Sequence, residues 1–489
     1  MLDVIKTVGR HYFVYGLGNV FNRMLSFLLI PFYTNYLTTS DYGTLELVEL
    51  SGYFAGMFMA MGVSNAVLRF YYDSDDPEDR RRIVSTAHVS VWGIAVAMGI
   101  GLVALSPNIS GLVFHSTDNR NLFRLAFISL ALTVCAEVPL NYLRAQQKSV
   151  LFTIISVARL LMGLGLNILF LVGMKWGVEG ILVSTLLSQI AATLILSAYT
   201  FRKTGFRVSW PDLRAMTSYG LPYIASGLSV FVLHLSDRFF LERYSTLSVV
   251  GIYALGSKFA MAVSPLLTEP FLAVWRPKAF EIAHQKDAKE TYSNVFTYYC
   301  FLGMFLVLAI STFTQDLIPF MSPPEFHASR LVVPMVALSY LMWGGSLLMQ
   351  LGVLLAKKTR HIAWVGAVAA GLKLILAPLL IPPLGMWGAA WATLASCTLL
   401  FCLQYWIEHR YLVIPYQWSR LVKLLVAAGL GYAVSVIWDP ESLILGLALK
   451  TLLVLSFPVL LAAFGFYTEP ERRRIRELAK WGLRRFRPL

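Results

Sequence analysis

Charged residues are scarce in this chain of 489 residues. They make up 14% of it, whereas hydrophobic residues make up 57%, and the mean hydropathy is +0.64. In a typical soluble domain about a quarter of the residues are charged. The longest polar stretches, 201–217 and the tail from residue 467, are too short to bury a core of their own. This composition excludes a soluble fold and predicts an all-α polytopic membrane protein.

Patterns for catalysis or metal binding are also lacking. The four cysteines lie inside apolar runs without metal-ligand spacing, as small core residues do. Residues 251–258 resemble a phosphate-binding loop, but Ser257 separates the glycine from the lysine and no soluble strand precedes them. Asp73 and Asp75 lie in a short loop near three arginines, where solvation explains them better than a metal does. We therefore predict no catalytic residue, no metal and no cofactor, and we expect that the chain is not an enzyme.

Long apolar runs are what the chain does have. Windows of about 20 residues predict fourteen transmembrane helices, the first of them uncleaved because no signal-peptide cleavage site follows it. The predicted spans are 12–36, 44–70, 83–105, 121–143, 150–173, 178–201, 217–241, 249–272, 291–313, 329–355, 362–381, 386–407, 421–438 and 443–466.

The distribution of positive charge predicts the orientation. Lysine and arginine are concentrated in the segments on the side of the N-terminus, while the opposite segments hold only Arg120, Arg124, Lys175, Arg243 and Arg330. The positive-inside rule then places both termini in the cytoplasm. The same bias accounts for most of the net charge of +14, so basicity does not indicate nucleic acid. Thr468 and Glu471 can start a tail helix with a capping box, and we expect it to lie along anionic lipid.

The chain contains an internal repeat. Residues 143–148 match 354–359, and Trp176-Gly177 matches Trp387-Gly388, at one shared offset. Because each copy holds an even number of helices, both copies run the same way through the membrane, related by an axis along its normal. The predicted parts are an N-lobe of six helices (1–205), a C-lobe of six helices (206–410), two further helices (411–466) and a basic amphipathic cytoplasmic tail (467–489).

Several spans carry a single cation at mid-depth, where a charge facing lipid costs about 2.5 to 3.5 kcal/mol. These cations are Arg23, Arg159, Lys258 and Lys373. Polar residues that share a helix face with the first two are Asn19, Asn22, Ser26 and Asn167. A packing interface is the alternative for the first of these faces, but packing does not require an arginine. We predict that all eight residues line one hydrated central cavity and bind an anionic substrate.

Acidic residues lie nearer the ends of the spans. Those toward the predicted outer ends are Glu46, Glu49, Asp237 and Glu242, beside Arg238, and those toward the inner ends are Glu137 and Glu269. Structural salt bridges are one explanation for them. The other is that Glu46 or Glu49 pairs with Arg238 in a gate that closes the outer side, and that a buried carboxylate carries a coupling proton.

These features resemble the Wzx-like polysaccharide flippases of the multidrug, oligosaccharidyl-lipid and polysaccharide (MOP) exporter superfamily. The resemblance rests on the fourteen spans, the repeat, Asp41-Tyr42-Gly43 after the first span, Gly251-Ile252-Tyr253 in the equivalent place of the second half, and the inner turn 143–146. It covers the full chain through short motifs. It implies a bacterial inner-membrane protein that moves an undecaprenyl-diphosphate-linked oligosaccharide from the cytoplasmic to the periplasmic leaflet by alternating access.

The resemblance also implies partners: the lipid-linked glycan, membrane lipids, a proton or sodium ion for coupling, and a glycan polymerase. Three alternatives remain open. A multidrug (MATE-type) exporter of the same fold would favour acids at mid-depth, and a lipid II flippase is weakened because no arginine cluster accompanies Arg23. A polytopic glycosyltransferase or polymerase would show a larger outer loop than 106–120.

Overall fold

The structure is a computed structural model, and it describes residues 29–438, 443–473 and 477. Within these residues there is no β-strand, and helices form nearly all regular structure, which confirms the all-α fold class. The α-helices are α1 (29–36), α2 (Thr39–Ala60), α3 (Val63–Asp73), α4 (Pro77–Ala104), α5 (Ser106–Phe114), α6 (Arg120–Ala145), α7 (Ser149–Asn167), α8 (Gly177–Thr204), α9 (Trp210–His234), α10 (Asp237–Tyr244), α11 (Leu247–Ala260), α12 (Glu269–Glu281), α13 (Ala288–Met321), α14 (Val333–Leu348), α15 (Leu351–Leu355), α16 (Arg360–Leu384), α17 (Met386–Tyr411), α18 (Trp418–Ile437) and α19 (Leu443–Ala463). Two π-helical segments (Ile168–Gly173 and Ser264–Thr268) and a 3₁₀ segment (Pro324–Leu331) complete the order.

Twelve of the described helical segments are long and apolar enough to cross a membrane, and they coincide with predicted spans three to fourteen. The second predicted span forms α2 and α3, while most of the first lies outside the described residues. Two expectations need correction. The predicted span 217–241 ends at His234, because the chain breaks before α10, and the predicted outer loop 106–120 contains the short helix α5.

Side-chain caps explain where several helices begin. Thr38 and Asp41 form a complete capping box at α2, with each side chain accepting a hydrogen bond from the other residue's backbone N–H. Asp76 caps α4 with a single bond, in which its side chain accepts from the N–H of Glu78. Pro77 follows at the first helical position, where its missing N–H costs nothing. The residue types at these helix starts therefore fix the starts of α2 and α4.

A left-handed break separates α2 from α3. Met61 (φ 45°) and Gly62 (φ 68°) both adopt the left-handed conformation. A Cβ atom on Gly62 would lie 2.4 Å from the Cα of Gly220 in α9, so no side chain fits there. The break thus brings the backbones of the α2–α3 pair and α9 into direct contact.

Local backbone geometry repeats along the chain. Gln147 and Lys357 are both left-handed residues just after a helix, and Lys175 and Gly385 are a second such pair. The separations from 147 to 357 and from 175 to 385 are equal. They are one residue shorter than the offset between the repeated sequence motifs. The turns at residues 147 and 357 are also closed by the same backbone bond, in which the N–H of residue 148 donates to the carbonyl of 143 and that of 358 to the carbonyl of 353. The division into two six-helix lobes stays a prediction.

The chain divides into two compact units. One contains the described residues through Ala254, with Met321–Phe326 and Ala370–Ala389. The other contains Leu255–Phe320, His327–Ala369 and the described residues from Ala390 onward. The buried charges described next belong to the first unit.

Candidate functional site

The break between α9 and α10 brings a charged pair into the interior of the first unit. Asp237 and Arg238 occupy the first turn of α10, and both are buried. Nη1 of Arg238 donates hydrogen bonds to the carbonyl oxygen of His234 (2.5 Å) and to Oδ1 of Asp237 (2.8 Å). Carbonyls at a helix end lack an intrahelical donor. The end of α9 therefore supplies a partner for the guanidinium.

Three helices meet at the carboxylate of Asp237. The hydroxyl of Tyr253 on α11 donates to Oδ2 at 2.6 Å, and Nζ of Lys373 on α16 lies 3.4 Å from the same oxygen. The ammonium of Lys373 also lies 3.4 Å from the carbonyl oxygen of Ala389. The side chains of Asp237 and Lys373 are both 0% exposed. A predicted cavity cation and a predicted gate acid thus form one buried ion pair.

Glu46 on α2 lies beside the pair formed by Asp237 and Arg238. Its Oε1 lies 3.7 Å from Nε of Arg238, and both side chains are buried. The guanidinium of Arg238 also lies 5.2 Å from the ring centre of Tyr253. We call Glu46, Asp237, Arg238, Tyr253 and Lys373 the charged cluster.

A close backbone contact between α2 and α11 sets the position of Glu46. A Cβ atom on Gly43 would lie 2.1 Å from the carbonyl oxygen of Leu247, and one on Gly251 would lie 2.0 Å from that of Thr39. The hydroxyls of Thr39 and Ser248 hydrogen-bond across the same contact at 2.7 Å. Glu46 follows Gly43 by one helical turn. The two glycine motifs that suggested the family are therefore packing partners.

The formal charges of the charged cluster cancel, with two carboxylates against two cations. Moving one ion from water into a protein interior costs several kcal/mol, and a missing partner leaves that cost uncompensated. Intramembrane charges are therefore rare and mark functional sites by default. A cluster of this kind can admit an anion when a carboxylate moves away, or release its cations when a carboxylate takes a proton.

Arg159, Asn167 and Lys258 are the other predicted cavity residues that the structure describes. Arg159, half-buried on α7, donates from Nη1 to Oε1 of Gln189 at 3.2 Å, and Asn167 is buried at the end of the same helix. Lys258 is half-buried and belongs to the second unit. Asn19, Asn22, Arg23 and Ser26 lie outside the described residues. The shared central cavity stays a prediction.

The remaining acids are dispersed. Glu49 is exposed on α2, and Glu137 is half-buried on α6. Glu269 is exposed at the start of α12, where it accepts a hydrogen bond from the hydroxyl of Ser264 at 3.3 Å. Among the described gate residues, only Glu46, Asp237 and Arg238 come together. Their role as a gate stays a prediction.

Glu242 lies at the rim of an apolar cavity of about 610 Å³ in the first unit. Its carboxylate is 3.8 Å from Nε2 of His115, and that nitrogen is 3.2 Å from Nη1 of Arg243. Burial raises the pKa of the Glu242 carboxyl, against the opposing effect of the two basic neighbours. This acid therefore belongs to a separate polar group and not to the charged cluster.

Sequence reasoning missed two partners. Tyr253 is recognisable in the sequence only as part of a motif, because a tyrosine within an apolar run does not reveal which acceptor its hydroxyl contacts. Lys450, inside the last apolar run, forms an ion pair with Asp316 at 2.7 Å in the second unit, and its side chain is 2% exposed. A lone cation within an apolar run was the signal for Lys450, as it was for Lys373. Among the residues that the structure describes, no group of three His, Cys, Asp or Glu residues could hold a metal ion.

Solved structures with the same fold are membrane transporters. The lipid II flippase MurJ, in an inward closed conformation, matches with a TM-score of 0.74 at 12% identity, covering 93% of this chain and 99% of that chain. A multidrug resistance MATE family transporter of the MOP superfamily, in an inward-facing conformation, matches with a TM-score of 0.62 at 15% identity, covering 83% and 96%. At these identities the likeness shows the fold alone.

The fold is thus one that membrane transporters adopt, among them a member of the MOP superfamily. The chain belongs to the polysaccharide biosynthesis protein family, whose profile matches residues 8–283. A Haemophilus influenzae protein described as an uncharacterized membrane protein is 24% identical over 258 residues. That match covers 51% of this chain and 60% of the relative, so the chain spans less than two thirds of that relative's length. The predicted Wzx-like family is confirmed.

Proposed function

We propose that this protein flips an undecaprenyl-diphosphate-linked oligosaccharide from the cytoplasmic to the periplasmic leaflet of a bacterial inner membrane, with both termini in the cytoplasm. Membership of the polysaccharide biosynthesis family supports the glycan, and the fold supports a transporter. The observation that carries the proposal is the charged cluster. Its two cations are held by carboxylates from two different helices, α2 and α10.

The charged cluster can alternate between a closed and an anion-binding form. When α2 moves away, it takes Glu46 with it and leaves Arg238 and Lys373 with the single carboxylate of Asp237. The site then carries a net positive charge, which suits a diphosphate headgroup. Arg159, Lys258 and Arg23, with their polar neighbours, are the further residues we expect along the path. Protonation of Glu46 or Asp237 would free the same cations, which is how a coupling proton would act.

The proposal is tested by reconstitution of the purified protein in liposomes. A fluorescent polyprenyl-diphosphate glycan should change leaflets without ATP, and its covalent structure should stay the same. Arg159→Glu should abolish the movement, while Arg202→Glu, at the cytoplasmic end of α8, should leave it unchanged. A lengthened or transferred glycan would instead identify a glycosyltransferase.

Lipid II is the second candidate substrate, because the MurJ structure matches nearly the whole chain. The same liposomes distinguish the two candidates. Movement of fluorescent lipid II without movement of the oligosaccharide would overturn the proposed substrate while keeping the transporter. Movement of organic cations alone would point to the MATE-type exporter.

A further inference from the structure

A second cavity lies in the second unit, between the first turns of α16 and the last turn of α17. It has a volume of about 480 Å³ and is lined by residues 360, 361, 364, 406, 407, 410 and 411. Both helix ends adjoin segments that the positive-inside rule places in the cytoplasm. None of these residues belongs to the charged cluster or to the predicted substrate path. The cavity therefore needs its own explanation.

The lining combines positive charge with exposed aromatic rings. Arg360 and Arg410 are its charged residues, and no acid is among the described residues that line it. The guanidinium of Arg410 lies 3.6 Å from the ring centre of Trp406, which is 49% exposed. Stacking of this kind holds the planar group in place while its N–H donors stay available.

The aromatic residues also indicate the depth of the cavity. Trp364 is 55% exposed and Trp406 is 49% exposed, at the ends of two membrane-spanning helices. Tryptophan and tyrosine at such positions lie at the level of lipid headgroups. The hydroxyl of Tyr411 and Nε2 of His361 form a hydrogen bond at 2.9 Å, so one wall of the cavity is polar and ordered.

From this combination we propose that the cavity binds the phosphate headgroup of an anionic glycerophospholipid of the cytoplasmic leaflet. Two arginines without a lining acid match a phosphate diester, and the tryptophan rings match the glycerol and upper acyl region beside it. Basic pockets between helix ends on the cytoplasmic side suit such headgroups. A free phosphate ion shares the headgroup chemistry but would leave the exposed rings without a partner.

Native mass spectrometry of the full-length protein in detergent tests the proposal. Titration with phosphatidylglycerol should give a saturable bound lipid, and phosphatidylcholine should bind at least tenfold more weakly. The variant Arg360→Gln/Arg410→Gln should lower the affinity for phosphatidylglycerol by roughly tenfold or more, since two cations near an anionic surface contribute about 2 kcal/mol and each 1.4 kcal/mol is a tenfold change in affinity. The matched control is Lys357→Gln/Lys358→Gln, which removes two neighbouring charges outside the lining and should change the affinity less than twofold.

Other outcomes would overturn the proposal. Equal losses in the two double variants would mean that only general charge matters, and equal binding of the two lipids would mean that headgroup charge is not recognised. Displacement of phosphatidylglycerol by millimolar inorganic phosphate would identify a free-anion site. If the glutamine variants fail to accumulate, the lipid comparison and the phosphate competition on the unchanged protein still decide the question.

Discussion

Asp237 is the residue on which the charged cluster depends most, because it contacts both cations. Asp237→Asn would leave Arg238 and Lys373 with less negative charge, and we expect the free energy of unfolding to fall by about 3 to 5 kcal/mol. Adding Lys373→Met should recover part of that loss, since it removes the surplus cation. Thermal unfolding of the purified variants measures both effects. Losses that simply add would show that the two residues are not coupled.

Glu46 tests the gate at the residue scale. Glu46→Gln removes the charge opposite Arg238 and keeps the shape of the side chain, so the contact between α2 and α10 should weaken. We expect labelling of a cysteine placed at Ser26 from the outer side to rise at least fivefold, since even the roughly 1 kcal/mol of an exposed ion pair gives that change and this pair is buried. Adding Glu49→Gln tests whether the exposed acid contributes.

The control for this experiment is Asp118→Asn, which removes an exposed acid in a predicted outer loop. It should leave the labelling unchanged. Labelling that stays constant or falls in Glu46→Gln would mean that Glu46 serves as a static packing partner or as the coupling site.

At the scale of elements, the crossing of α2 and α11 is the contact most sensitive to size. Gly43→Ala would push a methyl group into the backbone of Leu247, so we expect a loss of about 1 to 3 kcal/mol of stability. Gly52→Ala is the matched control on the same helix, because a Cβ atom there has no neighbour within 4 Å. It should be neutral or slightly stabilising, as alanine is the better helix former. Equal effects in thermal unfolding would contradict the role of the contact.

The start of the tail is a second element, and its position depends on hydrogen bonds to one side chain. Glu471 accepts hydrogen bonds from the N–H of Thr468 (2.7 Å), the hydroxyl of Tyr298 (2.5 Å) and Nη2 of Arg420 (2.9 Å). The bond from Thr468 is the half of the expected capping box in which the glutamate accepts. Burial raises the pKa of Glu471, but these hydrogen bonds and the charge of Arg420 outweigh it and hold the pKa below its ordinary value.

Because the pKa of Glu471 is lower in the folded protein than in the unfolded one, its contacts with Tyr298 and Arg420 stabilise the fold at any pH above the unfolded pKa. That stabilisation is lost as the pH falls through the folded pKa. A spin label at position 477 should therefore keep its mobility from neutral pH down to the ordinary glutamate pKa of about 4.3 and become more mobile only below that. In Glu471→Gln the label should be mobile at every pH. A change between neutral pH and pH 5 would assign the contact to another group.

At the scale of the whole molecule, the repeated pattern of apolar runs is enough to predict the all-α class, and the short motifs around Gly43, Gly251 and residues 143–146 are needed for the family resemblance. Twelve predicted spans match helices because a run of about 20 apolar residues in a membrane has few alternatives to a helix. The pattern could not predict that Lys373 pairs with Asp237, since 136 residues separate them and each had several candidate partners. Nor could it place the break after His234, because the residues there remain compatible with a continuing helix.

If the proposed transport proceeds by alternating access with α2 as the moving element, we expect α2 and α11 to separate at some point in the cycle. In a cysteine-free background, Thr39→Cys/Ser248→Cys replaces two hydroxyls that are 2.7 Å apart and should form a disulfide. Oxidation should lower the flipping rate in liposomes at least tenfold, and a reductant should restore it. The single variants are the controls. Full activity of the cross-linked protein would show that this contact does not open during transport.

The cancelling charges of the cluster have an electrical consequence. Moving one elementary charge across 100 mV involves about 2.3 kcal/mol, so a gate with a net charge would open or close with the membrane potential. Glu46, Asp237, Arg238 and Lys373 sum to zero, and their common displacement would move no net charge through the field. The closed form should therefore be insensitive to voltage, whereas the proposed departure of Glu46 with α2 would move one negative charge. Any dependence of transport on the potential would then come from that movement of Glu46, from the cargo or from a coupling ion.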